Sequence, residues 1–227
     1  MNFVNINKIS TVDYPKKIVA TLFTAGCNFR CSYCHNYDLI DNNVASELNE
    51  EDVIAYLKKR KGILDGICIT GGEPALWDEE LLDFIKRVKE IMGNDYLVKV
   101  DTNGSFPEFI RKAARVVDFI AMDLKAVDYS LFSGINFDKI TASIENIKSA
   151  KDYEIRFTMF SEYIKEDEFE KLAQIVKGAK KAAVQQFNPK HVYKKEAEEV
   201  LIYSKETLQK FADILKKYVA EVEIRGI

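Results

Sequence analysis

The sequence predicts an α/β fold built around a parallel β-sheet. Short β-branched or apolar runs alternate with amphipathic stretches of helical length along the chain, and this alternation favours parallel strands joined by right-handed crossovers. The 227 residues contain no low-complexity linker and no sequence repeat, so we expect a single domain over residues 1–227. They hold about six βα units, fewer than the eight of a closed barrel, which leaves a doubly wound open sheet or an incomplete barrel.

Seven short runs have the composition and the length of strands, because β-branched and apolar residues dominate them. The predicted strands are Ile18–Thr24, Gly66–Thr70, Tyr96–Asp101, Asp118–Asp123, Glu154–Met159, Ala182–Phe187 and Glu221–Ile224. Between them, apolar residues recur with helical spacing. The predicted helices are Glu50–Arg60, Glu79–Met92, Pro107–Val116, Phe137–Ala150, Glu166–Val176 and Lys205–Tyr218. In the second helix, Leu81, Ile85 and Val88 share one face, which we expect to be buried.

The charge and the composition exclude several classes of protein. With 33 Lys and Arg against 36 Asp and Glu, the net charge is −3, so no overall basic field recruits nucleic acid, and we expect no such partner. No run approaches the roughly 20 apolar residues of a membrane span, and the N-terminal segment lacks the apolar stretch of a secretory signal. We therefore expect a cytoplasmic protein with no membrane partner.

The segment TAGCNFRCSYCHN places Cys27, Cys31 and Cys34 within eight residues. Thiolates are soft ligands for iron–sulfur clusters and for zinc, and this spacing lets one loop wrap around one side of a cluster. A zinc site completed by His35 is a poor alternative, because two adjacent residues do not readily chelate one tetrahedral ion. The fourth cysteine, Cys68, lies inside an apolar run, where a buried and inert thiol is expected. The cysteine cluster therefore predicts a site with only three protein ligands.

Polar motifs accompany the other predicted strands. They are TGGEP after the second strand, DTNG after the third, DLK after the fourth, RFT within the fifth and QFNP after the sixth. Because the carboxyl ends of parallel strands meet at one edge, we expect these motifs to gather around the cysteines. In TGGEP, Gly71 and Gly72 permit a backbone to approach a ligand closely, and Glu73 offers an acceptor for an ammonium group.

Each of these motifs also has a simpler interpretation. TGGEP is compatible with a strand-ending turn, and DTNG is compatible with a helix cap or a turn. Asp123 and Lys125 lie two residues apart on one strand face and suit an ion pair. A lone histidine such as His191 is more often a surface or packed residue than a catalyst.

Taken together, the motifs resemble the radical S-adenosylmethionine (radical SAM) superfamily. The superfamily signature CxxxCxΦC, with an aromatic residue at Φ, stands here as Cys27 to Cys34 with Tyr33 at Φ, and GGEP follows at the second strand. More closely, the chain resembles the activating enzymes of glycyl-radical enzymes, in particular the anaerobic ribonucleoside-triphosphate reductase activating protein family. That resemblance extends from STVDYP through the cysteine motif, TGGEP, DTNG, MDLKA, RFT and QQFNP to the terminal RGI.

The resemblance implies an incomplete (βα)6 TIM-like barrel with parallel strands. It implies that Cys27, Cys31 and Cys34 bind three irons of a 4Fe-4S cluster, and that the fourth iron takes the amino and carboxylate groups of S-adenosyl-L-methionine. The implied contacts to S-adenosylmethionine are Gly71, Gly72 and Glu73 at its amino group, Thr102 and Asn103 near its ribose, Asp123 and Lys125 at its amino-acid moiety, and Arg156 at its carboxylate. No side chain is assigned as a catalytic acid or base.

The same resemblance implies the reaction and the partners. A flavodoxin or ferredoxin delivers one electron, S-adenosylmethionine is cleaved to methionine and a 5′-deoxyadenosyl radical, and this radical removes a hydrogen atom from a glycine of a partner enzyme. We expect that partner to be a glycyl-radical enzyme, anaerobic ribonucleotide reductase. Two alternatives stay open: a radical SAM enzyme acting on a small pterin- or purine-derived precursor, and a simple iron–sulfur electron-transfer protein in which GGEP and DTNG are only turns.

Overall fold

A twisted sheet of mostly parallel strands forms the centre of the computed structural model, which describes residues 1–41, 44–45, 48–132 and 135–227. The strands are β1 (Asn2–Phe3), β2 (Asn5–Ser10), β3 (Val19–Thr24), β4 (Leu48–Asn49), β5 (Gly66–Gly71), β6 (Leu97–Thr102), β7 (Phe119–Asp123), β8 (Tyr153–Met159), β9 (Lys181–Gln186) and β10 (Glu221–Arg225). In the described residues the main sheet has the order β10-β9-β8-β7-β6-β5-β3-β2, and β1 pairs separately with β4. All seven predicted strands are present within one or two residues of their predicted ends.

The helices follow the strands as the alternation predicts. They are α1 (Glu50–Lys59), α2 (Asp78–Met92), α3 (Pro107–Ala113), α4 (Phe137–Ile147), α5 (Phe169–Ile175) and α6 (Lys205–Leu215). Several end earlier than predicted because the last turn tightens: after α6, the backbone N–H of Tyr218 bonds to the carbonyl of Leu215, three residues back. In the part of the chain that the structure describes, no helix is both long and apolar enough to cross a membrane.

The strand topology confirms the predicted α/β class and the incomplete barrel. Seven strands of the main sheet, β3 and β5 to β10, run parallel to one another. One helix follows each of the first six in the chain. The sheet does not close among the described residues, since β2 and β10 form its two edges. Strand β2 was not predicted; it lies antiparallel to β3 with Asn5 opposite Phe23. Its residues are mostly polar and exposed, so no buried alternation identifies it.

The two faces of the sheet differ in character. Residues such as Ile69, Val100 and Phe157 face the helices and belong to one large apolar core. On the opposite face, a small apolar cluster of Tyr14, Val19, Cys68, Phe119 and Ala121 fills the interior near the amino ends of the strands. Polar side chains occupy the interior above this cluster, towards the carboxyl ends.

The carboxyl ends of the strands lie side by side at one rim. The register places Thr24 of β3 opposite Gly71 of β5, and Asp123 of β7 opposite Arg156 of β8. Residues from distant motifs of the sequence are therefore neighbours on this rim, as expected for a parallel sheet.

Candidate active site

A cavity of about 460 Å3 opens at the carboxyl ends of the strands. Its wall contains every site residue predicted from the sequence: Cys27, Cys31, Cys34, Gly71, Gly72, Glu73, Thr102, Asn103, Asp123, Lys125 and Arg156. Cys68 and His191 lie outside this wall. Cys68 is fully buried in the small interior cluster, and His191 is exposed in a loop after β9. The structure therefore brings the cysteine motif and the polar motifs together.

The loop that carries the three cysteines is held by aromatic side chains and by distant segments. Phe29 is buried and stacks on Phe132 at a centroid distance of 4.8 Å, and Tyr33 packs against Phe160 at 5.0 Å. The hydroxyl of Tyr163 lies 2.9 Å from the Ser32 hydroxyl and accepts a hydrogen bond from the Ser32 N–H. These contacts fix the loop from the segments that follow β7 and β8.

A segment after β9 also bonds to the cysteine loop. The N–H of Tyr193 donates to the carbonyl of Cys34 at 3.0 Å, and the N–H of Lys194 donates to the carbonyl of Ser32 at 2.9 Å. The His35 ring nitrogen Nε2 lies 2.9 Å from the carbonyl of Asn188, so this nitrogen is engaged with the backbone. We call residues 188–194 the strap.

The three thiols are free and stand in the cavity wall. Burial raises the pKa of the Cys31 thiol to about 12, and burial also raises the pKa values of Cys27 and Cys34. Among the described residues, no three His, Cys, Asp or Glu side chains converge on the position of a single metal ion. Because their pKa values are raised, the three thiols are protonated in the free protein at neutral pH. If they bind a metal as thiolates, these protons are released.

The two glycines at the end of β5, Gly71 and Gly72, are required by the chain's own backbone. Gly71 has φ +118, and a Cβ there would lie 2.5 Å from backbone atoms of Thr24; a Cβ at Gly72 would lie 1.9 Å from the carbonyl oxygen of Gly26. The N–H of Gly72 donates to Thr24 and that of Glu73 to Gly26. The backbone at these glycines therefore lies close to Thr24 and Gly26, where the chain enters the cysteine loop. Both glycines also line the cavity.

Glu73 is buried, with 1% of its surface exposed, and connects two of the predicted motifs. Its Oε1 accepts from the N–H of Ala75 at 3.0 Å and the hydroxyl of Thr102 at 2.7 Å, and its Oε2 accepts from the N–H of Asn103 at 2.6 Å. Burial raises the pKa of this carboxyl to about 7, against the opposing effect of these donors. A carboxylate oxygen accepts about two hydrogen bonds, so Oε2 retains one acceptor position.

The side chain of Asn103 is used mainly within the protein. Its Nδ2 donates to Oδ1 of Asn28 in the cysteine loop at 2.9 Å, and its Oδ1 accepts from the N–H and the hydroxyl of Ser105. The DTNG motif therefore ties the end of β6 to the cysteine loop and leaves one Nδ2 hydrogen without a partner among these contacts.

Asp123, Lys125 and Arg156 form a connected charged group on one side of the cavity. Lys125 Nζ lies 3.0 Å from Asp123 Oδ2, and Arg156 Nε lies 2.8 Å from Asp123 Oδ1. Burial alone would raise the pKa of Asp123, but the Arg156 guanidinium and the Lys125 ammonium hold that pKa well below its usual value. The ion pair expected for Asp123 and Lys125 is present, and the arginine extends it.

Other polar residues in the wall were not predicted as site residues. They are Asp13, Thr21, His35, Asn36, Thr70, Asp101, Thr158, Gln185, Gln186 and Asn188. Several occupy alternate positions on otherwise apolar strands, such as Thr21 on β3 and Asp101 on β6. A polar residue at every second position of a buried strand was the signal that could have identified them.

Comparison with known proteins assigns the fold and the chemistry to one superfamily. The profile of the Radical SAM superfamily matches residues 21–177. A Methanocaldococcus jannaschii protein named as a glycyl-radical enzyme activating enzyme is 33% identical, over 96% of this chain and 93% of its own length. The pyruvate formate-lyase-activating enzyme of Clostridium pasteurianum is 31% identical over 63% of each chain. Among solved structures, a domain of the corresponding enzyme from Bacteroides vulgatus superposes with a TM-score of 0.54 at 22% identity, covering 71% of this chain and 99% of that domain.

Proposed function

The chain belongs to the radical SAM superfamily and, within it, to the glycyl-radical enzyme activating enzymes, and from this premise we propose that it generates the glycyl radical of an anaerobic ribonucleotide reductase. It is an enzyme whose cofactors are a 4Fe-4S cluster and S-adenosylmethionine. The observation that carries the proposal is the convergence of three free thiols, the Gly71–Glu73 turn and a charged group on one cavity.

The residues present fit these two cofactors. Three cysteines line the cavity and the fourth, Cys68, does not, which suits a cluster with one iron left for another ligand. Bound there, the reduced cluster supplies the electron that cleaves S-adenosylmethionine and yields the radical that abstracts hydrogen. We assign Cys27, Cys31 and Cys34 as the cluster ligands.

The remaining wall residues suit the amino-acid part of S-adenosylmethionine. Glu73 Oε2 keeps one acceptor position for an N–H of the ligand's amino group. Arg156 uses Nε and Nη1 in ion pairs, so its Nη2 is available for a carboxylate, and Lys125 has two further N–H donors. We assign Gly71, Gly72, Asp123 and the nearby Thr102 and Asn103 to positioning the same ligand.

The position of the cavity supports a macromolecular substrate. The cavity that would hold the cluster and S-adenosylmethionine opens at the rim of the sheet, so the reacting end of the cofactor lies where another protein can reach it. The open side between β2 and β10 suits a loop of a partner protein. Anaerobic ribonucleotide reductase is favoured over other glycyl-radical enzymes by the motif resemblance from STVDYP to RGI. A flavodoxin or ferredoxin is the proposed electron donor.

The test is electron paramagnetic resonance on the reconstituted protein. The anaerobic, reduced protein is incubated with S-adenosylmethionine and, in separate samples, with anaerobic ribonucleotide reductase or pyruvate formate-lyase. We expect a glycine-centred signal with the reductase, and none when its radical glycine is changed to alanine.

Three other results would each have a distinct meaning. A radical on pyruvate formate-lyase alone would keep the activase function and replace the partner. Stoichiometric conversion of a small metabolite with no protein radical would support the small-molecule alternative. Failure to bind S-adenosylmethionine would leave only the electron-transfer protein.

A further inference from the structure

Lys99 is a buried lysine inside the barrel that the proposed function does not use. It lies on β6 two residues before Asp101, and only 3% of its surface is exposed. Its Nζ contacts Asp101 Oδ1 and lies 3.6 Å from Cys68 Sγ. A buried ammonium group is costly unless it is paired, so its presence requires an explanation.

Lys99 is the first member of a continuous row of alternating charges. Asp101 Oδ2 lies 3.0 Å from Arg156 Nη1, and Arg156 Nε lies 2.8 Å from Asp123, which pairs in turn with Lys125. We call Lys99, Asp101, Arg156, Asp123 and Lys125 the charge row. It crosses β6, β7 and β8 and ends where Lys125 Nζ lies 5.8 Å from the centre of the Tyr33 ring in the cysteine loop.

The row contains three cations and two anions, so it carries one net positive charge. Asp101 receives one cation on each of its two oxygens. Without Lys99, Asp101 would depend on Arg156 alone, and the row would contain two cations and two anions. Asp101 would then offset more of the Arg156 charge, and the positive potential at the cavity would be weaker.

We propose that Lys99 is a positioning residue for the carboxylate of S-adenosylmethionine. By pairing with Asp101 inside the barrel, Lys99 offsets the negative charge of Asp101, so that the Arg156 guanidinium keeps a positive potential at the cavity wall. This inference rests on the proposed assignment of Arg156 to the ligand carboxylate. Lys99 itself touches no ligand and acts through Asp101 and Arg156. The competing explanation is that Lys99 only compensates Asp101 and matters for stability alone.

A pair of ligands separates the two explanations. S-adenosylmethionine and its decarboxylated form share the sulfonium, the ammonium and the adenosine, and differ only in the carboxylate. Dissociation constants of both are measured anaerobically on cluster-loaded, unreduced protein, in which no cleavage occurs. The ratio of the two constants cancels general effects of folding on the fraction of competent protein.

We expect Lys99→Met to weaken S-adenosylmethionine binding by about tenfold and not to weaken the binding of the decarboxylated ligand. The double variant Lys99→Met/Asp101→Asn removes one charge of each sign and restores the net positive charge of the row. It should therefore recover most of the affinity for S-adenosylmethionine. Cys68→Ala is the matched control, because it removes the other group in contact with Lys99 without changing charge; it should leave both constants unchanged.

The inference is overturned if Lys99→Met weakens both ligands equally, or if the double variant keeps the selective loss. Arg156→Gln distinguishes this failure from failure of the proposed site. If Arg156→Gln weakens S-adenosylmethionine selectively and Lys99→Met does not, only the role of Lys99 is wrong. If Arg156→Gln has no effect, the assignment of the carboxylate site is wrong as well.

Discussion

The two faces of the main sheet are built from the same strands, but one face stabilises the fold and the other lines the cavity. On β8, Phe157 faces the helices, where its ring lies 5.5 Å from that of Phe169, while Arg156 beside it faces the interior and joins Asp101 to Asp123. The outer face is an apolar core, and the inner face is a buried polar wall. Because side chains alternate along a strand, one residue step changes the consequence of a mutation from lost stability to lost chemistry.

The largest expected effect is on the inner side, at the cysteines. Changing Cys27, Cys31 or Cys34 to alanine removes a thiolate that no other cavity residue replaces, so the visible absorption of the anaerobically reconstituted cluster should be almost abolished. Cys68→Ala is the control and should retain it, since Cys68 lies in the small interior cluster. Loss of the cluster in Cys68→Ala would show that the three-ligand assignment is wrong.

The next effect is on stability and concerns the outer face. Phe157→Ala opens a cavity in the large core, and its free energy of unfolding should fall by about 3–5 kcal/mol, as measured by denaturant titration. The neighbouring inward residue provides the comparison: Thr158→Ala should cost about 1 kcal/mol or less. Equal losses at both positions would contradict the division between the faces.

Glu73 tests the inner wall without removing a cluster ligand. Glu73→Gln weakens the charge-assisted hydrogen bond that the carboxylate accepts from the ligand's amino group, and the S-adenosylmethionine dissociation constant should rise about ten- to hundredfold, corresponding to roughly 1.5–3 kcal/mol. Cluster content should be retained. The variant also loses some stability, because an amide cannot accept from all three internal donors of Glu73. Unchanged ligand affinity would exclude Glu73 as the acceptor for the ligand's amino group.

The pH dependence of ligand binding follows from the same carboxyl group. Burial raises the pKa of Glu73 to about 7, and only the ionised carboxylate accepts a charge-assisted hydrogen bond from the ligand's amino group. Affinity should therefore fall by up to about tenfold as the pH is lowered from 8 to 6. Calorimetry should detect proton release on binding near pH 7. The Glu73→Gln variant supplies the baseline, and an equally steep profile in that variant would assign the titration to another group.

The smallest expected effect concerns Tyr33, which belongs to the large apolar core and also lines the cavity. The Tyr33 hydroxyl is buried, and within the described residues it has no hydrogen-bond partner. Tyr33→Phe removes an unsatisfied group and keeps the ring packing, so the free energy of unfolding should stay the same or rise by up to about 1 kcal/mol. A decrease of that size in thermal or denaturant unfolding would reveal a partner for this hydroxyl.

The outer face and the positions of the parallel strands along the chain were predictable from sequence, and the inner wall only in part. Apolar periodicity locates every parallel strand, because burial against helices leaves a strong pattern. The cysteines were evident from their spacing. The partners of Glu73 were not, since Thr102 and Asn103 reach it only when β5 and β6 pair. Lys99 has the appearance of an ordinary charged residue in the sequence. Its connection to the cavity depends on Asp101, whose second partner, Arg156, lies on a strand more than fifty residues further along the chain.

The strap has a consequence for the order of events during synthesis. The hydrogen bond between His35 and Asn188 spans 153 residues of sequence, and the bonds from Tyr193 and Lys194 to the cysteine loop are as long-range. At about 5–20 residues per second, the ribosome needs roughly 8–30 s to make that intervening chain. Throughout this interval the three thiols are already translated but lack one of the segments that hold their loop. The complete wall of the cavity therefore forms only after the strap has been translated.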